Sequence, residues 1–97
     1  MTTSTNSTSS ATRFRITGED ADTGEIRALA TSADLNKLAQ RLDKDGKFWA
    51  SRGWECLTLE DDSLGHWTDT LAEDLKGRMR RGEVAWENWK TLRHHAL

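Results

Sequence analysis

Hydrophobic positions along the chain switch between a period of two and a helical period, and each switch marks an element. From residue 13 to 31 the pattern alternates. Phe14 and Ile16 oppose Arg13, Arg15 and Thr17, and then Ile26, Ala28 and Ala30 oppose Arg27, Leu29 and Thr31. The stretch between them, Gly18 to Gly24, is polar and bounded by glycine, so the pattern predicts a β-hairpin. Leu35, Leu38, Ala39 and Leu42 then fall at i, i+3, i+4 and i+7, one face of a helix. Thr31-Ser-Ala-Asp34 resembles a capping box with Asp in place of Glu, which predicts a helix over residues 32–44. Gly46 ends it, with Phe48 and Trp49 able to extend a further turn toward Gly53.

Alternation returns from Trp54 to Glu60, with Leu57 and Leu59 on one face and Trp54, Cys56 and Thr58 on the other. This predicts a third strand beside the hairpin. Leu64, Trp67, Leu71, Leu75 and Met79 form the next helical stripe, capped by Asp62 or Ser63. Gly82 breaks it. Ala85, Trp86, Trp89, Leu92 and Ala96 predict a last helix carrying two indoles on neighbouring positions. The expected fold is α+β in the order ββαβαα, a small antiparallel sheet with helices packed on one face.

Composition sharpens this outline. A chain of 97 residues suits one domain, assigned to residues 13–97. Leu, Ile, Val and Phe together number only sixteen, a scarcity that signals disorder when net charge is high, but the net charge here is −2. Five Trp residues restore apolar area. The expectation is a thinly cored domain that gains stability from a partner or from self-association. Residues 1–12 are dominated by Ser and Thr, with nothing large to bury, and are expected to form a disordered tail. No apolar run approaches the ~18 residues of a membrane span, and the N-terminus lacks the basic and apolar regions of a signal peptide, so a cytoplasmic location is expected. The single Cys56 makes no internal disulfide, as suits a reducing compartment.

Candidate chemistry is sparse. Asp20-Ala-Asp22-Thr-Gly24 and Asp43-Lys-Asp45-Gly46 begin like calcium loops, but the twelfth positions are Thr31 and Trp54 rather than Glu. Cys56, His66, His94 and His95 lack the paired spacing of a zinc site. Cys56 with His66 can be drawn as nucleophile and base, although a lone Cys on a strand is more often a small buried apolar residue. Without a phosphate loop or nucleophile motif, neither enzymatic activity nor a metal or cofactor is expected.

Charge carries the most information. Residues 55–75 hold seven acids (Glu55, Glu60, Asp61, Asp62, Asp69, Glu73 and Asp74) and no Lys or Arg. Residues 76–97 reverse the sign, with Lys76, Arg78, Arg80, Arg81, Lys90 and Arg93 against Glu83 and Glu87. Ordinary helix capping accounts for much of this, since acids favour the start of a helix and bases its end. The functional alternative is an acidic stripe that docks into a basic groove built for a nucleic-acid backbone. Trp49, Trp54 and Trp67 suit a structural role, whereas Trp86 and Trp89, with Arg80 and Arg81, have the composition of a binding hot spot.

These features lead to a non-enzymatic protein-binding module acting on a larger protein or nucleoprotein complex. Its sharper form is a phage-type or mobile-element inhibitor of a nucleic-acid-handling complex, acting through its acidic surface as anti-CRISPR proteins do. The alternative is a small nucleic-acid-binding regulator that uses the Lys76–Arg81 cluster, with Trp86 and Trp89 stacking on bases. The acidic pI of about 5.9 stands against that alternative.

Overall fold

A computed structural model describes residues 13–96 and has the order ββαβαα. The Ser/Thr-rich tail at residues 1–12 and residue 97 lie outside the described residues. β1 (Phe14–Asp20) and β2 (Ile26–Ser32) form the expected antiparallel hairpin. Its turn is set by Asp20, whose Oδ1 accepts hydrogen bonds from the backbone of Asp22 and Thr23. β3 (Trp54–Asp61) pairs antiparallel with the other edge of β1, so the strand order is β2-β1-β3.

The register places Ile16 opposite both Ala30 and Leu59, and Phe14 opposite Ser32 and Asp61. It shifts twice, after Ile16 on the β2 side and between Thr17 and Glu19 on the β3 side. The second shift overturns the expectation that Cys56 is buried. Two residues of β3, Cys56 and Leu57, face the single Gly18, and Cys56 takes a left-handed φ of 51° that leaves its side chain exposed. Gly18 itself is required by packing. A Cβ there would lie 2.8 Å from Leu29 Cδ1 and 3.3 Å from both Leu57 and Trp54, so the missing side chain lets flanking-strand residues meet over the central strand.

The first helix is longer than its pattern predicts. α1 spans Leu35–Ser51, with Asp34 as N-cap accepting from the Asn36 backbone at 2.8 Å, in place of a box opened by Thr31. Gly46 lies inside the helix rather than ending it. Trp49 continues the face of Leu35, Leu38, Ala39 and Leu42 and is buried, and that burial outweighs the ~1 kcal/mol that an interior Gly costs. The chain leaves the helix at Gly53, whose φ is +90°.

The second helix begins later than expected. α2 spans Leu71–Arg80, not a stretch starting at Asp62 or Ser63. The Asp62 carboxylate binds the backbone N–H of Arg13 at 2.7 Å and is therefore unavailable as a cap. Asp61 pairs through its backbone with Thr68, and the chain between them turns at Gly65. Leu64, counted in the apolar stripe, is consequently 65% exposed, and Trp67 lies in this loop with the Arg15 guanidinium 4.3 Å from its ring centroid. α3 spans Trp86–Ala96. All three helices contribute to one core with β1 and β3, and Val84, between α2 and α3, joins it. Among the described residues no helix is long and apolar enough to cross a membrane.

Candidate partner-binding surface

The acidic segment is largely engaged within the chain. Glu60 sits opposite Arg15 in the sheet register and pairs with it at 2.6 Å. Asp62 pairs with Arg13 at 3.0 Å, and the Arg13 backbone N–H, with help from its guanidinium, holds the Asp62 carboxyl below the usual carboxylate range. Asp74 lies 2.9 Å from Arg78 and 3.6 Å from Arg81. Glu55, Asp69 and Glu73 are exposed, and among the described residues no ion pair forms on them. Glu55 lies directly across the sheet from Glu19, a like-charged neighbour.

Asp61 is no surface group at all. It is fully buried, and its carboxylate accepts from the Ser63 backbone and hydroxyl, from the Thr70 hydroxyl and from Arg78 Nη2 at 3.1 Å. Burying a carboxylate demands such compensation, which corrects its assignment as a docking acid. Arg78 is corrected with it. Its side chain is only 11% exposed, packs 5.1 Å above the Phe14 ring centroid, and reaches Asp61, Asp74 and Glu83. Its Nε lies within ion-pair distance of Asp74 but without hydrogen-bond alignment.

The remaining basic residues divide. Arg81 is exposed yet paired with Glu83 at 2.7 Å, while Lys76 and Arg80 face solvent with no ion pair among the described residues. Arg80 and Arg81 sit at the end of α2, and Trp86 and Trp89 belong to the next helix, so the expected four-residue hot spot spans two elements.

On α3 the two tryptophans take different roles. Trp89 is buried against the core, at 9% exposure, whereas Trp86 is 57% exposed. Their rings stack at 5.1 Å between centroids and 15° between planes, so the buried indole holds the exposed one in place. Lys90 Nζ lies 5.9 Å from the Trp86 centroid and the Arg93 guanidinium 5.3 Å from that of Trp89. Trp89, Lys90, Arg93 and His94 line an open groove of about 460 Å³. Burial, and then the neighbouring His94, hold His95 below the usual imidazole value.

One positioning residue escapes sequence reading. Asn36, on the first turn of α1, accepts at Oδ1 from the Ala85 backbone and from Asn88 Nδ2, both at 2.9 Å, and donates to the Glu83 carbonyl. It satisfies a backbone N–H just before α3 and fixes that helix against α1. The contact spans 49 residues and leaves no local signal.

Among the described residues no group of three potential metal ligands converges, and Cys56 is exposed on its bulge. Comparison with protein-family models, with curated proteins and with solved structures finds no match.

Proposed function

We propose that this chain is a non-catalytic protein-binding module that acts by occupying a surface of a larger partner, with the outer face of α3 as its contact. The observation that supports this reading is the exposed Trp86, stacked on a buried Trp89 and flanked by Lys90. A large aromatic held in one orientation loses little freedom on binding, which is why such residues dominate interface energetics. Blocking of a nucleic-acid-handling complex through the acidic segment, in the manner of anti-CRISPR proteins, has narrower support. Of its seven acids only Glu55, Asp69 and Glu73 are both exposed and without an ion pair among the described residues. Direct nucleic-acid binding through the Lys76–Arg81 cluster loses Arg78 to the interior and Arg81 to Glu83.

The test is affinity capture of the tagged chain from its source lysate, with and without nuclease, beside a Trp86→Ala variant. A stoichiometric protein complex that survives nuclease and disappears with Trp86→Ala is the expected result. Recovery of nucleic acid alone, lost on nuclease treatment, overturns the reading in favour of the basic cluster.

A further inference from the structure

The groove on α3 is built from groups that share one chemical need. Lys90 and Arg93 are cationic, the His94 imidazole lies beside them, and among the described residues no acid pairs with any of the three. The fourth lining residue, Trp89, is nine-tenths buried, and its Nε1–H is shielded from solvent without a hydrogen-bond acceptor. An unmet buried donor is costly, and its occurrence in a native fold asks for an acceptor from elsewhere. Acids of the chain reach Arg13, Arg15, Arg78 and Arg81, whereas Lys90 and Arg93, like Lys76 and Arg80, meet none among the described residues.

Resting on the reading that α3 is the contact face, we propose that this groove recognises an acidic segment of a partner protein. A carboxylate seats at Lys90 and Arg93, and an apolar neighbour packs on Trp86. Charge complementarity selects the occupant, because the side chains of Trp89, Lys90 and Arg93 offer only donors, and that of His94 offers a donor beside its second ring nitrogen. A nucleic-acid backbone fits less well. It presents phosphates along its whole length and is met by an extended track of cations, whereas the fixed cations lining this groove are Lys90 and Arg93, with Glu83 and Glu87 before them in sequence.

The experiment follows indole N–H resonances of the isotopically labelled full chain, with the Trp86 signal assigned by Trp86→Phe and the others by matching substitutions. Three probes are titrated separately. They are a synthetic peptide of Asp and Glu interspersed with Leu and Phe, single-stranded oligothymidine of equal charge, and inorganic phosphate. The expected result is saturable movement of the Trp86 and Trp89 signals by the peptide, weakened about tenfold by Lys90→Glu or by Arg93→Glu, with both variants retaining the native spectrum. No movement with the peptide overturns the proposal, as does binding of oligothymidine or phosphate as tight as that of the peptide. The lysate capture separates this proposal from the reading beneath it. Loss of the partner with Trp86→Ala but its retention with both charge reversals overturns the acidic-segment assignment alone, and retention in all three variants overturns both.

Discussion

Two regions of this molecule are made of the same ingredients and use them in opposite ways. At one, Arg78 lies over Phe14 and is enclosed by Asp61, Asp74 and Glu83, so its charge is neutralised by acids from β3, from its own helix and from the turn after it. At the other, Arg93 and Lys90 lie over Trp89 and Trp86 and meet no acid among the described residues. Cation and aromatic ring stand at similar separations in both. What differs is whether a carboxylate reaches the cation, and that decides whether the cluster holds the fold together or remains open to something outside it. A run of basic residues in sequence is therefore ambiguous until its acids are located.

The contrast breaks most visibly at Asp61. Asp61→Ala leaves the Arg78 guanidinium without its one fully buried partner and is expected to cost about 3–5 kcal/mol in urea unfolding. Adding Arg78→Met removes the stranded charge and is expected to return at least ~1 kcal/mol. A double variant no more stable than Asp61→Ala would show that Arg78 finds adequate compensation in Asp74 and Glu83 alone. Trp86→Ala tests the other region. It forfeits a stacked pair at the surface, so the stability loss is expected to stay near ~1 kcal/mol while partner capture is lost. A loss as large as that of Asp61→Ala would place Trp86 in the structural framework instead. Arg81→Ala removes exposed pairs with Glu83 and Asp74 and should change unfolding by no more than ~1 kcal/mol.

The smallest effect is a pH dependence on α3. Burial and His94 lower the His95 value in the folded chain, so the unfolded chain binds that proton more readily. The His95 contribution is complete above the unfolded value of about 6.5 and is lost as pH falls through the lower folded value. His95→Gln should therefore flatten the thermal midpoint against pH across that window, and an unchanged profile would show that His95 does not contribute. Asp62 acts in the same direction further down the scale, through its bonds to Arg13.

Much of the fold is legible because local patterns and tertiary packing agree in it. The alternation about Phe14 and Ile16 and the helical face of Leu35, Leu38, Ala39 and Leu42 all become core. Reading fails where a distant partner overrides a local preference. Asp62 is a good cap by type, but Arg13 claims its carboxylate, so Leu64 and Trp67 fall in a loop despite their helical spacing. Gly46 is a good helix ending by type, but Trp49 finds the core one turn later. The surface divides in the same way. The exposure of one indole of the Trp86 and Trp89 pair follows from an apolar seam too wide for a single packing face. The engagement of the acids, by contrast, depends on Arg13 and Arg15, which are remote in sequence.

The left-handed bulge at Cys56 has a practical consequence for handling the protein. The chain has one thiol, and the bulge turns it outward, so any disulfide it makes must join two molecules or a molecule and a small thiol. Any covalent dimer found in material kept without reductant is therefore a product of Cys56 oxidation and says nothing about native assembly. The same residue offers a single attachment point for a thiol-reactive dye or spin label, with no engineered cysteine needed.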